Sequence, residues 1–562
     1  MSGNHTFQRN GQWKDYLLIV LLTAAIYLPF LGLSRWDDNE PLRVAIAKEM
    51  LSTGDWLVPF LHGRPYLVKP PMMNWLIAGS GYLLGGIDEW TGRLPSVIAV
   101  FLLGISMYLF TGKWLSREGR LFSAIATVSM FGLMEKGRTA EIDALFVFLV
   151  TLTLLVWING YERRLNPVLL WCASLALAGI GTLTKGPQAI AYLYSTVFVY
   201  LLARKRLSFF FSAAHLAGIA FFTLILALYL SHVSKAVALS EYARIVMEQI
   251  TQRAEGKHSF IPSFIFHFIS YPFTITATFL PWVLFAVPAI AFKKTRGRVK
   301  GVMGREVVIY SLIAIAVNFP VYWLLPGAKA RYFLPAGPFA AIITAALFEF
   351  YLEEAREEPG INAFFKRFMK VTASLALLCA VLTPVAVAYM DLSFSLSLTA
   401  VTVSTALVSI FILYKVNSAG LKSIPLSMAL TVGLTFLIYS NIKTQLDTRK
   451  DNNPRNIARE INLLLPENVG TLYSMGYRNI LEVMCYMDKK VVQVDTFREL
   501  KNLAGKDRVY FIFTDRFLKV GDKSDKRFFE EELEWEKAYS KYLDGEKGKV
   551  VVGYIEGNKP LP

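Results

Sequence analysis

The sequence predicts a polytopic α-helical membrane protein with about 13 transmembrane helices. Amphipathic juxtamembrane helices are expected in its first outward loop, and a small soluble α/β domain at its C-terminal end. Three observations predict this class. Of 562 residues, 54% are hydrophobic and 18% charged, with a mean hydropathy of +0.41, which does not describe one soluble core under a polar surface. Apolar runs long enough to cross a hydrocarbon layer of roughly 30 Å recur along the first three quarters of the chain. The connections between those runs are basic at every second position, the pattern of a polytopic protein.

The runs fall at 16–33, 91–111, 121–134, 142–158, 168–183, 189–203, 209–230, 264–292, 307–325, 333–352, 368–390, 392–414 and 424–439. With the N-terminus in the cytoplasm, the inner loops carry Lys113/Arg117/Arg120, Arg163/Arg164, Arg204/Lys205/Arg206, the dense run from Lys293 to Arg305, Lys366/Arg367/Lys370 and Lys415/Lys422. These cations read as topology determinants, so the net charge of +16 needs no nucleic-acid partner to explain it. An odd number of spans then places the tail outside. The first run has no small-residue cleavage site after it and reads as an uncleaved signal anchor. Cys172 and Cys379 lie inside apolar runs, so Cys485 is the cysteine expected to face solvent, and no intramolecular disulfide framework is expected.

Three outward segments are too long or too charged to be simple connectors: 34–90, 231–263 and everything after about 441. The domain division is therefore 1–440 for the membrane domain, including the first outward loop at 34–90, and 441–562 for the outer α/β domain. Within the first loop, Pro41 begins a helix whose Leu42, Ala45, Ile46, Met50 and Leu51 precede a stop at Gly54. A second element runs from Pro71 through Trp75 to Leu84, ended by Gly85-Gly86. Both are expected to lie along the membrane surface. In the tail, 456–465 reads as a helix and 471–474, 491–494, 509–513 and 549–555 as strands. No Gly-rich dinucleotide motif, P-loop, HExxH or paired CxxC occurs, and no internal repeats, so nucleotide-driven transport and zinc-ribbon readings lose their usual support.

Charges cluster at the outer ends of spans. The first loop opens Trp36-Asp37-Asp38-Asn39-Glu40-Pro41-Leu42-Arg43 and continues to Tyr66-Leu67-Val68-Lys69-Pro70-Pro71. Asp143 opens the fourth run, Lys185-Gly186-Pro187 separates two others, and Lys329, Arg331 and Tyr332 precede Leu334-Pro335. Lys and Arg on that side run against the charge bias, which points to an anionic ligand, phosphate or carboxylate. Carboxylates beside such cations suit transfer from a lipid phosphate: an acid receives the acceptor proton while cations neutralise the leaving phosphate. Taken singly, each group also has a plainer reading, as helix cap, snorkelling lysine or tight turn. His258 likewise reads as a loop histidine.

The ordered combination resembles the bacterial type-C glycosyltransferases related to protein O-mannosyltransferases and to lipid A aminoarabinose transferase. The matching residues are Glu40-Pro41-Leu42-Arg43, Glu49-Met50-Leu51, Gly54-Asp55-Trp56, Pro59, Gly63, Tyr66, Lys69-Pro70-Pro71, Trp75, Gly85, Glu89 and Arg93-Leu94-Pro95, then Asp143, Lys185-Gly186-Pro187, Pro281-Trp282 and Arg331-Tyr332-Phe333-Leu334-Pro335. The resemblance implies an inverting transfer of a sugar from a polyprenyl (undecaprenyl) phosphate carrier to an envelope acceptor, lipid A or a related glycolipid, at the outer face of the inner membrane. A lipid-linked donor accounts for the missing nucleotide motif. By matching position, the resemblance makes Glu40 and Asp38 the catalytic acids. Lys69, Arg331, Lys185 and Tyr332 bind the donor phosphate, and Asp143, Arg43 and His258 position substrate, His258 in a loop that covers the site.

This chain departs from the family pattern at Asn39, where relatives carry Asp before the Glu, and at Val68, where the aminoarabinose branch carries Glu. Either Asp38 takes the role or Glu40 acts alone. The sugar stays open, and no metal is assigned. Rival readings are a protein O-glycosyltransferase with the same donor class, a flippase or transporter for a lipid-linked sugar, and a scaffold. Transport predicts charges near mid-span on broken helices, whereas transfer predicts acids and cations gathered at one face.

Overall fold

The computed structural model describes residues 9–255, 260–355, 358–449, 452–476, 480–504, 508–520, 523–543 and 548–556. They form two compact units, one from Met1–Leu31, Leu67–Met73 and Arg93–Ile442, the other from Gly32–Tyr66, Asn74–Gly92 and Lys443–Pro562.

The first unit is helical. Among the described residues nine helices are long and apolar enough to cross a membrane: Glu89–Phe110, Asp143–Glu162, Pro167–Lys185, Leu207–Val233, Glu306–Trp323, Leu334–Glu354, Pro359–Tyr389, Leu396–Lys415 and Ile424–Arg449. The remaining four apolar runs depart from simple spans, each for a local reason. The first becomes Arg9–Tyr27, whose charges include Asp15, bound to Arg117 at 2.6 Å. The run at 121–134 breaks at Ser129-Met130 into Arg117–Val128 and Phe131–Lys136. Gln188–Ala203 is apolar but short. The run at 264–292 is not one straight span: Phe264–Thr278 and Trp282–Ala291 meet at 92° around Pro281, which has no N–H to continue a helix. Counting that bent pair as one span gives ten. The expected thirteen is therefore not reached on length and apolarity.

This unit is apolar both inside and on its outer surface. On Pro359–Tyr389 the exposed residues Val371, Leu375, Leu378, Leu382 and Val385 recur at helical spacing, a stripe facing lipid. Aromatic rings fill the interior, where Trp157 stacks on Tyr161 at 5.0 Å and meets Trp171 edge-on at 5.8 Å. Helix Ala213–Val233 packs on Pro167–Lys185 through Gly218, where a Cβ would come 2.8 Å from Leu175 and 2.9 Å from the Trp171 backbone. Small residues allow this close approach, because helices in lipid associate by packing alone.

The second unit carries a mixed five-stranded sheet. Its strands, with the hairpin β1 (Phe60–Leu61) and β2 (Arg64–Pro65) numbered first, are β3 (Thr471–Met475), β4 (Lys490–Val494), β5 (Val509–Thr514), β6 (Glu536–Tyr542) and β7 (Lys549–Ile555). The order is β4-β3-β5-β7-β6, with β3 parallel to β4 and β5, and β7 antiparallel to β5 and β6. All six residues of β5 are buried, which is why it reads as a continuous apolar run. Ile457, Ile461, Leu472, Ile512 and Val552 fill one side, and Phe497, Phe511, Phe513 and Phe529 the other. Strand β6, with the sequence Glu-Lys-Ala-Tyr-Ser-Lys-Tyr at the sheet edge, has too little apolar character to stand out in the sequence.

Most of the first outward loop belongs to this unit, not to the membrane domain. Helix Glu40–Thr53, expected along the bilayer, buries Val44, Ala45, Ile46, Ala47 and Met50, and Lys48 donates to the Cys485 carbonyl at 2.7 Å. Its apolar face meets protein. Cys485 is accordingly 1% exposed, while Cys379 on a lipid-facing helix is exposed, the reverse of the expectation. The hairpin covers the open edge of β4: Gln493 N–H donates to the His62 carbonyl at 2.9 Å, and Arg64 pairs with Asp495 at 2.6 Å.

Candidate active site

In the first unit, helix ends bring together charges distant in sequence. Asp143 lies in the first turn of Ile142–Glu162, Lys185 is the last residue of Pro167–Lys185, and Arg331 and Tyr332 lie in the turn Ala330–Tyr332. Lys185 Nζ donates to Asp143 Oδ1 at 2.5 Å. Arg331 reaches Glu141 Oε2 at 2.7 Å and stands 3.7 Å from Asp143 Oδ2, while Lys136 stands 3.7 Å from Glu141 Oε1. Asp143 is 2% exposed and Lys185 7%.

Charges held that far from water are costly unless paired, so the cluster is a connected network. With Glu135, 3.3 Å from Lys136, its three cations meet three carboxylates, of which Glu141 and Asp143 are buried. The Phe146 and Tyr332 rings stand 5.0 Å and 5.1 Å from Lys185 Nζ and supply π faces in place of water. Tyr192 O–H donates to the Tyr332 carbonyl at 3.0 Å and pins that turn. Such a network can receive a phosphate and hold it against the charge it develops on leaving.

Two other outward cations have structural partners. Arg138 donates to the carbonyls of Ile26, Tyr27 and Pro29, and Arg93 to that of Leu31, both serving the orphan carbonyls past Arg9–Tyr27. Lys69 is half-buried in this same unit.

The acids of the first loop belong to the second unit. Glu40 is 1% exposed, at the start of Glu40–Thr53, and its Oε2 accepts the Asp37 N–H at 2.9 Å, closing the turn over itself. Asp38 is exposed, with φ 51°, a left-handed conformation that Asp tolerates better than most residues. Partial burial raises the Asp37 carboxyl, but Lys443 at 3.3 Å, the Asp38 N–H and Arg35 together outweigh it and hold that carboxyl below the usual range. Arg43 is buried, its guanidinium 3.5 Å from Asn74 Oδ1, and Asn74 Nδ2 donates to the Arg43 carbonyl at 3.1 Å. The structure therefore gathers Lys185, Asp143, Arg331 and Tyr332 in one unit and Glu40, Asp38 and Arg43 in the other. His258 lies outside the described residues.

Sequence reasoning did not single out Glu141 and Lys136 as members of the cation cluster, although both stand within seven residues of Asp143. It also missed Tyr486 and Arg455 in the tail. Glu89 accepts from Arg455 and from Tyr486 O–H, the latter at 2.8 Å, and Tyr486 oxygen accepts the Trp36 N–H at 2.8 Å. No local pattern in the tail marks these two, because their partners lie more than 360 residues away. Among the described residues no group of three or more His, Cys, Asp or Glu side chains is placed to hold a metal ion.

Residues 68–232 match the family described as dolichyl-phosphate-mannose-protein mannosyltransferase. The undecaprenyl phosphate-alpha-4-amino-4-deoxy-L-arabinose arabinosyl transferase of Pseudomonas savastanoi pv. phaseolicola is 28% identical over 35% of this chain and 38% of its own length. A second arabinosyl transferase of that name, from Proteus mirabilis, is 24% identical over 64% of each. The chain thus spans between about a third and two thirds of these relatives. The crystal structure of ArnT from Cupriavidus metallidurans bound to undecaprenyl phosphate superposes with a TM-score of 0.70 at 16% identity, covering 97% of this chain and 98% of that one, so the fold is shared end to end. The chain is thus similar in sequence, over part of its length, to these arabinosyl transferases, and similar in fold to ArnT.

Proposed function

We propose that this protein is an inverting glycosyltransferase that moves a sugar from a polyprenyl phosphate carrier to an envelope acceptor, lipid A or a related glycolipid, at the outer face of the bacterial inner membrane. The observation that carries it is the network of Lys185, Asp143, Arg331 and Glu141, cations and carboxylates buried together at the ends of membrane helices. The likeness of fold to an ArnT crystallised with undecaprenyl phosphate supports the donor class. The basic connectors, Arg163/Arg164 and Arg204/Lys205/Arg206 among them, support a cytoplasmic N-terminus with the C-terminal unit outside.

In the reaction, an acceptor oxygen attacks the anomeric carbon, the carbon–oxygen bond to the carrier breaks, and the carrier phosphate leaves with the electron pair. Lys185, Arg331 and Lys69, with Tyr332, bind that phosphate and stabilise its charge. Asp143 fixes Lys185 and Arg331. Glu40, with Asp38 as the alternative acid, takes the proton from a hydroxyl acceptor. If the acceptor is itself an ionised phosphate, the acid positions it instead, with Arg43 supporting the turn.

Purified protein incubated with radiolabelled polyprenyl phosphate sugar and an envelope lipid extract tests the reading. Label on a lipid acceptor is the expected outcome. Label that only crosses the bilayer would make the protein a flippase, and label on protein would make it a protein O-glycosyltransferase.

A further inference from the structure

At the opposite ends of the helices that carry Asp143 and Lys185, the first unit has a cavity of about 810 Å³ that the transfer chemistry does not use. Its wall includes Arg164, Arg206, Ser208 and Ser212. Both arginines are exposed, and among the described residues neither has a carboxylate partner. The carboxylate in the wall, Glu162, is already engaged: Lys113 stands 3.1 Å from it, and Tyr200 O–H donates to it at 3.3 Å.

Two long helices also begin here. Pro167–Lys185 starts after its cap Asn166, and Ala213–Val233 after Ser212, so the positive ends of two helix dipoles add to the arginine charge. Ser212 also stands in the wall of a neighbouring apolar groove of about 650 Å³ lined by Phe198, Phe210, Phe211 and Leu216. Phe211 is 74% exposed and Leu216 66%, so the groove opens towards the bilayer.

A cationic pocket that shares a wall residue with an aromatic groove on a membrane helix bundle has the two-part chemistry of a phospholipid. We propose that this composite site binds an anionic phospholipid of the surrounding bilayer. Its phosphate lies between Arg164 and Arg206, and one acyl chain lies in the groove beside Phe211. The bland alternative, that these arginines only set topology, requires neither a cavity nor a groove beside it. The inference does not rest on the transfer reading.

The full-length protein, reconstituted with spin-labelled phosphatidylglycerol or phosphatidylcholine, tests it. The motionally restricted fraction is expected to favour phosphatidylglycerol and to lose that preference about five-fold for each of Arg164→Ala and Arg206→Ala. Both side chains are exposed, so the variants are expected to fold. Lys205→Ala, which removes a cation of the same connector outside the cavity wall, is expected to leave the preference unchanged. The proposal is overturned if the double arginine variant keeps the preference, if Lys205→Ala loses as much, or if millimolar inorganic phosphate displaces the lipid, which would make this a free-phosphate site.

Discussion

Lys185 and Asp143 show how much one pair can decide. A 2.5 Å contact between two buried charges is stabilising only while both members are present. Asp143→Ala is expected to destabilise the protein by about 3–5 kcal/mol, because it strands the Lys185 ammonium among apolar rings. The double variant Asp143→Leu with Lys185→Met is expected to recover most of that loss in thermal stability while leaving sugar transfer abolished. Recovery of transfer as well would remove the pair from the proposed site. Glu40→Ala is expected to lower transfer by about 100-fold or more without affecting membrane insertion, the usual contribution of a positioned acid or base. Asp38 is exposed, so Asp38→Ala has the smaller expected effect. Full activity in the combined variant would sink the carboxylate role.

At the scale of elements, the hairpin of β1 and β2 is an example of packing that ties a titratable group to stability. Its turn residues His62 and Gly63 have φ 53° and 82°, and the Glu49 carboxylate accepts both of their N–H groups, at 2.6 Å and 2.8 Å. His62 is 6% exposed, and burial pulls its imidazole down from 6.5 to about 4. Folded His62 therefore stays neutral where the unfolded chain takes up a proton. Its contribution is fully present above pH 6.5 and is lost as pH falls towards 4, about 3 kcal/mol over that window. The protection factors of residues 60–65 in the full-length protein, that is exchange corrected for the intrinsic slowing of amide exchange in acid, are expected to fall over that interval, and His62→Phe to flatten the dependence. Unchanged protection factors in the native protein would contradict the buried neutral histidine. Glu89 plays a similar part between Arg455 and Tyr486, and burial pushes the Tyr486 phenol up, which keeps it a donor.

For the whole molecule, the basic connectors predict sidedness. A cysteine introduced at Lys205, which is exposed, is expected to react with a membrane-impermeant reagent only from the cytoplasmic side, and one at exposed Asp488 only from outside. Labelling of both from the same side would overturn the proposed orientation. The fold matches the Cupriavidus ArnT over 97% of the chain although only 16% of residues are identical. Membrane helices tolerate this divergence because lipid-facing positions need only be apolar, whereas helix-end charges and close-packed sites such as Gly218 are far more constrained.

The sequence by itself determined the membrane class, the runs that become the nine long helices, four of the five sheet strands of the tail, and Asp143, Lys185, Arg331 and Tyr332 as candidates. These are local quantities: hydropathy, charge sidedness and β-propensity act over windows of a few to about twenty residues. Only the tertiary structure decided that these four meet with Glu141 and Lys136, that Arg93 and Arg138 serve backbone carbonyls, and that Pro281 bends one apolar run. It also decided that the helix Glu40–Thr53 buries its apolar face in protein, with Cys485 beneath it. An apolar helix face looks the same in sequence whether lipid or protein covers it, because the hydrophobic effect is non-directional. The segment that meets this helix, Leu481–Met484 with Cys485, lies more than 400 residues away, and only folding brings it there.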